Sequence, residues 1–203
     1  MGAASVCERG VETGDGSMKR IFDIFLGCLA ALILLVPVLL VGMAVRITSK
    51  GPALYWSDRI GQKNVIFKMP KFRSMQVGAP AVATHLLANP RSYLTPIGSF
   101  LRNSSLDELP QLWSVLAGDM SFVGPRPALF NQQDLIELRT KYGVHLLLPG
   151  ITGWAQVNGR DQLTIGDKVA LEVYYLKNRS FWLDIKILWL TIIKVVRHEG
   201  VSH

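Results

Sequence analysis

Cysteine is nearly absent: Cys7 and Cys28 are the only two in 203 residues, and Cys28 lies inside an apolar run. Two such residues make neither a disulfide framework nor a metal site, which points to a reducing, cytoplasm-facing location. Acids are also short, 15 against 22 lysines and arginines, so the chain carries a net charge of +7. A nucleic-acid binder would match that charge, yet no recognised binding motif accompanies it and mean hydropathy is positive. With 49% hydrophobic residues the chain is not a disordered basic tail either. No cleavage site follows the apolar run, which is too long for a signal peptide. The length suits one domain with a real core and excludes both a stapled miniature and a multidomain machine. What remains is membrane contact through an apolar segment backed by a cationic face.

The chain divides unevenly. Residues 1–17 are Gly-rich and poorly patterned, and read as a disordered leader or a cloning remnant with Met18 as the natural start. They hold one arginine against three acids, so the basic excess belongs to the body. Residues 18–50 contain an apolar run from Ile21 to Val45, about 37 Å long as a helix and so able to cross a core of about 30 Å. Pro37 interrupts it, and basic residues flank both ends: Lys19 and Arg20 before, Arg46 and Lys50 after. Positive residues prefer the cytoplasmic side. The residues alone therefore allow two topologies, a single span with a proline kink or a re-entrant hairpin that returns to the face it entered. Asp23 is expected to pair with Lys19, one helical turn earlier.

Residues 51–180 read as a small mixed α/β globule. The segments ALYWSDRIG and NVIFKMPKFRSM have the β-branched and aromatic content of strands. Pro80 to Pro90 reads as a loop, and Leu109–Leu116 and Asn131–Tyr142 have helical spacing. Residues 181–203 start with FWLDIKILWLTIIKVV, too charged for a second span and expected as an interfacial or core helix before a tail.

Three strings carry chemistry. In Ser104-Ser105-Leu106-Asp107-Glu108-Leu109-Pro110-Gln111, two adjacent carboxylates sit where a helix is expected to open. Their mutual repulsion separates their proton affinities, leaving one ionised while its neighbour handles a proton. The bland alternative is a capping box from Ser105 to Glu108, which Pro110 weakens because it would fall inside that helix. In Gly118-Asp119-Met120-Ser121-Phe122-Val123-Gly124-Pro125-Arg126-Pro127, two prolines fix where the guanidinium of Arg126 points, which suits an oxyanion. Pro149-Gly150-Ile151-Thr152-Gly153-Trp154-Ala155-Gln156-Val157-Asn158-Gly159-Arg160 combines glycines that admit close backbone approach with a turn signal, and Trp154 reads first as core. Lys71 and Arg73 alternate with apolar neighbours, so on a strand both cations would share one face and meet phosphate or lipid headgroups.

In order and spacing, these strings together with Lys-Arg-Ile-Phe-Asp and Lys-Phe-Arg-Ser-Met resemble the bacterial sugar transferases, the monotopic phosphoglycosyl transferases, from Met18 almost to His203. The resemblance implies an α+β, mostly helical fold: a re-entrant membrane helix-break-helix turning at Pro37, then a mixed α/β catalytic globule with interfacial amphipathic helices. It implies transfer of a sugar-1-phosphate from a UDP-sugar to polyprenol (undecaprenol) phosphate, releasing UMP, as the first membrane step of glycoconjugate assembly. Asp107 would be the nucleophile that carries the phosphosugar, and Glu108 would help activate the acceptor. Arg126, Lys71, Arg73, Arg160, Gln156 and Asn158 would contact substrate, and magnesium (Mg2+) would be held by Asp107 and the diphosphate. The implied partners are the UDP-sugar, polyprenol phosphate and membrane lipids, without nucleic acid and with a homodimer allowed, at the cytoplasmic face of a bacterial inner membrane. Two departures stand out: Val36 precedes Pro37 where relatives often have serine, and Leu148 precedes Pro149 where they usually have a basic residue. A nucleotide-sugar hydrolase or a non-catalytic anionic-lipid scaffold are the competing functions.

Overall fold

A computed structural model of the protein describes residues 15–80, 89–159 and 163–196. Helices dominate and two small sheets complete an α+β chain. Helix α1, Asp15–Thr48, begins three residues before Met18; the rest of the expected leader lies outside the described residues. The helix is long and apolar enough to cross a membrane. It continues through Pro37 as a single helix, so the expected break is reduced to one lost hydrogen bond, that to the carbonyl of Ile33.

Both ends of α1 are fastened to the globule, while most residues between are exposed. At the first end, Lys19 forms an ion pair with Asp184, and Arg20 donates to the carbonyls of Val115 (2.6 Å) and Leu116 (2.8 Å). Asp23 accepts from the backbone N–H of Phe122 at 3.1 Å. The expected Lys19–Asp23 pair is thus corrected. A buried N–H needs an acceptor, and Asp23, 2% exposed, supplies it. At the second end, Val45 is fully buried against Phe72 and Leu101, with Leu106 and Leu109 packed on the same cluster. Burying each such side chain stabilises by about 1.5–3 kcal/mol.

Strands β1 (Leu54–Ile60) and β2 (Ile66–Phe72) form the antiparallel hairpin expected from their composition. Pro70 is tolerated in β2 because a two-stranded sheet has only edges. Pairing opposes Tyr55 to Lys71, Ser57 to Met69 and Arg59 to Phe67. Directly opposed residues share a face, and buried Ser57 and Met69 mark this one as the face turned to the globule. Helix α2 (Gly98–Asn103) and the 3-10 turn Leu106–Glu108 lead to α3 (Gln111–Ala117), which ends on Gly118 in the left-handed region, φ 101°. Arg20 therefore meets α3 where its last carbonyls need donors.

Strand β3 (Ser121–Val123) pairs in parallel with β4 (Gly150–Thr152). Three glycines permit that approach: a Cβ on Gly150 would lie 2.1 Å from the nitrogen of Gly124, and one on Gly153 2.1 Å from the oxygen of Gly124. Helix α4 (Gln133–Lys141) falls within the expected helical segment, followed after β4 by the short α5 (Trp154–Asn158). Helix α6 (Ile165–Asn178) is capped by Thr164, which accepts from the N–H of Asp167, a contribution of about 1 kcal/mol. Helix α7 (Phe181–Val196) matches the expected C-terminal helix and buries Ile187 with Val123, Val157 and Tyr175. Trp182, Trp189, Ile192 and Val195 are exposed along it. Most of the expected Pro80–Pro90 loop lies outside the described residues.

Candidate active site

The two carboxylates do not open a helix. Ser105 adopts the left-handed conformation, φ 55°, and makes no side-chain cap, so the capping box is absent. That backbone costs a non-glycine residue about 1–2 kcal/mol, and it turns the chain into Leu106–Glu108. Leu106 and Leu109 enter the core beneath α1, which fixes the acids between them. Pro110 then precedes the first residue of α3, where a missing N–H is harmless.

The acids have different fates. Glu108 Oε1 accepts from Lys71 Nζ at 2.8 Å and from Arg126 Nη2 at 2.7 Å. Burial alone would raise its proton affinity, but the charges of Arg126 and Lys71 and their hydrogen bonds outweigh burial, holding Glu108 well below the usual glutamate range. Asp107, 8% exposed, has neither a hydrogen bond nor an ion pair among the described residues. Burial pushes its carboxyl up, against the pull of Lys71, and the charge of Glu108 adds to the rise. Lys71 is itself pushed down, first by burial. The site therefore holds one clamped, ionised carboxylate beside one uncommitted carboxylate.

Sequence reasoning missed Arg59. Its Nη1 donates to the carbonyl of Pro127 at 3.2 Å and its Nε to Ser57 Oγ at 3.0 Å. Burial first, and then the charge of Arg126, pull it down to about 10. Its place on the inward face of β1 was the available signal, obscured by its being one of many cations after the apolar run.

The other expected residues are dispersed. Arg73 turns to the end of α1, its Nη2 donating to Ser49 Oγ at 2.9 Å and to the Ser49 carbonyl at 3.2 Å. Lys71 and Arg73 therefore have different partners, because β2 ends at Phe72 and the alternation ends with it. The amide of Gln156 is buried without a hydrogen-bond partner. Asn158 donates to the carbonyl of Trp154 in its own helix, at 2.7 Å. Trp154 stacks on Tyr174 with ring centroids 5.6 Å apart. Arg160 lies outside the described residues. Among the described residues no three His, Cys, Asp or Glu side chains cluster as a metal site.

The family model for bacterial sugar transferases matches residues 14–198. The chain belongs to the bacterial sugar transferases. An uncharacterized sugar transferase of Bacillus subtilis, EpsL, is 40% identical over 191 residues, covering 91% of this chain and 90% of that protein. The UDP-glucose:undecaprenyl-phosphate glucose-1-phosphate transferase of Escherichia coli is 43% identical across 87% of this chain and 40% of its own length. The undecaprenyl-phosphate galactose phosphotransferase of Salmonella typhimurium is 36% identical across 90% of this chain and 41% of its own. This sugar transferase thus spans about two fifths of the length of those two longer relatives.

Proposed function

We propose that the protein transfers a sugar-1-phosphate from a UDP-sugar to undecaprenol phosphate, releasing UMP through a phosphosugar bound to Asp107. The observation that carries this reading is the asymmetry of the two acids. An uncommitted carboxylate in a dry, cationic site is suited to attack phosphorus, and its raised proton affinity reflects a less solvated, more nucleophilic oxygen. A carboxylate oxygen of Asp107 bonds to the β-phosphorus as the bond to the bridging oxygen breaks, and the electron pair leaves with UMP. Lys71 and Arg126 neutralise phosphoryl oxygens as charge develops.

Glu108 is a poor proton acceptor while two cations hold it. As the donor's phosphates compete for Lys71 and Arg126, its basicity rises, which suits it to take a proton from the acceptor phosphate in the second displacement. The oxygens fit magnesium: the free carboxylate of Asp107 and Oε2 of Glu108, which has no partner among the described residues, are hard donors that magnesium takes together with phosphate. When bound, the ion would offset diphosphate charge.

The membrane reading follows α1. Its two ends contact one globule, through Arg20 and Asp23 at one end and Val45 at the other. Contact of both ends with one body is what a helix that stays on the face it entered would need, although α1 is continuous at Pro37, and the cations beside it suit the cytoplasmic face. The exposed Trp182 and Trp189 on α7 suit the headgroup layer.

The deciding experiment incubates the purified protein with magnesium and sugar-labelled UDP-sugars, without acceptor. UMP and labelled protein are expected, and Asp107→Asn should lower both by about three orders of magnitude. Undiminished labelling of the Asn variant would reject Asp107 as nucleophile. Adding undecaprenol phosphate should move the label into the organic phase; free sugar phosphate in water would indicate a hydrolase instead.

A further inference from the structure

One face of α1 is tied to both flanks of the site. Arg20 Nη1 and Nη2 donate to the carbonyls of Val115 and Leu116 at 2.6 and 2.8 Å, and Asp23 Oδ1 accepts from the backbone N–H of Phe122 at 3.1 Å. Residues three and four apart share a face of a helix, and Gly27 continues this one. A Cβ on Gly27 would lie 2.8 Å from Leu116 Cδ2 and 3.9 Å from Phe122 Cε2, so the glycine lets α1 sit against α3 and β3 together. Asp23 is buried, and the Phe122 N–H is its only hydrogen-bond donor among the described residues. A carboxylate held near the start of an apolar run by one neutral donor is costly to bury, and packing alone needs no charge there.

The two flanks carry the groups of the site. Helix α3 starts at Gln111, just after Asp107-Glu108-Leu109-Pro110, and ends on the carbonyls that Arg20 holds. On the other flank the backbone is bonded almost residue by residue from β3 toward Arg126. Ser121 N–H donates to the Pro149 carbonyl at 2.9 Å, Gly124 N–H to the Thr152 carbonyl at 2.8 Å, and Gly150 N–H to the Pro125 carbonyl at 2.9 Å. Pro125 and Pro127 then restrict the backbone on either side of Arg126, whose Nη2 reaches Glu108 Oε1 at 2.7 Å. Arg126 and Glu108 thus come from separate segments, and both segments meet α1 on one face. A misplacement of about 1 Å between such groups can lower a rate about a hundredfold.

We infer that Asp23 is a positioning residue for the reaction: through Phe122 and β3 it sets where Arg126 stands against Glu108, while Arg20 and Gly27 hold α3 in the same frame. The inference rests on the proposed reaction and adds that the membrane helix is part of the frame of the active site as well as an anchor. Asp23 touches no reacting atom. Its Oδ1 fixes a strand that leads to the guanidinium, and that guanidinium neutralises phosphoryl charge as the bond to the bridging oxygen breaks. Loosening Asp23 therefore affects the transition state more than donor binding.

The test uses the full chain in lipid discs with magnesium and a panel of UDP-sugars. UMP release per folded molecule is measured for the unsubstituted protein, Asp23→Ala, Asp23→Asn and Gly27→Val. Asp23→Ala should lower kcat about tenfold to a hundredfold, while donor KM stays within about threefold. Asp23→Asn keeps an acceptor oxygen at the same reach and should retain kcat within about threefold. Gly27→Val changes no charge and no hydrogen-bonding side chain; it should also lower kcat, which keeps the test meaningful if the alanine variant unfolds. In an Arg126→Ala background, Asp23→Ala should cost less than about a further twofold, because its effect runs through the guanidinium. Unchanged kcat in both Asp23→Ala and Gly27→Val would overturn the inference, as would a full additional loss from Asp23→Ala in the Arg126→Ala background. An asparagine variant as impaired as the alanine variant would overturn it too, since charge rather than reach would then matter. Absence of UMP from the unsubstituted protein with every UDP-sugar would instead sink the proposed reaction, and the inference with it.

Discussion

At the scale of single residues, the site is organised by which acid receives the cations. Glu108 takes Lys71 and Arg126 on one oxygen, leaving Asp107 uncommitted. On the proposed mechanism Asp107 attacks as its carboxylate, so UMP release should fall in acid, with a limb above the ordinary aspartate range. Glu108→Gln removes a like charge and frees two cations, so the Asp107 pKa drops and the limb should move to lower pH. A pH profile of the donor half-reaction checks this; a limb that stays or rises would show that Glu108 does not control Asp107. The stability linkage has the sign of a depressed acid. The contribution of Glu108 is present above the unfolded glutamate pKa and is lost as pH falls through the depressed folded value. Sequence alone singled out Asp107, Glu108, Arg126 and Lys71, because unusual local patterns mark them. Arg59 lacked such a mark, since its position beside the site depends on strand register and on a carbonyl 68 residues away.

At the scale of elements, the buried ion pair between α4 and α6 is a separate matter from the chemistry. Arg139 Nε donates to Glu172 Oε2 at 2.8 Å, and both side chains are buried. Glu172→Gln leaves a buried cation without its charge partner and should cost about 3 kcal/mol in denaturant unfolding, with UMP release per folded molecule unchanged. A loss below about 1 kcal/mol would mean that solvent already reaches the pair. The hairpin, α4 and α7 were legible because alternation and helical spacing are local signals. Helix α6 was not anticipated: Val169, Glu172 and Tyr175 form its buried stripe, and the polar member hides the apolar pattern. The pairing of Lys19 was misread for a similar reason, since the nearest acid in sequence was engaged by the backbone and the true partner lay 165 positions later.

At the scale of the whole molecule, the position of α1 determines what the membrane sees. Single cysteines replacing Met18 and Lys50, with Cys7 and Cys28 replaced by serine, should both resist an impermeant reagent in intact cells and both react after permeabilisation. Labelling of only one from outside would establish a span. The same attachment has a mechanical meaning. A spanning helix answers a thicker or thinner bilayer by tilting, at a modest cost per ångström of mismatch. A helix fixed at both ends to one body cannot tilt independently. On the proposed re-entrant topology its depth would be set by the body resting on the headgroups, so Asp107 and Glu108 would stay at one height above a single leaflet whatever the thickness of the other.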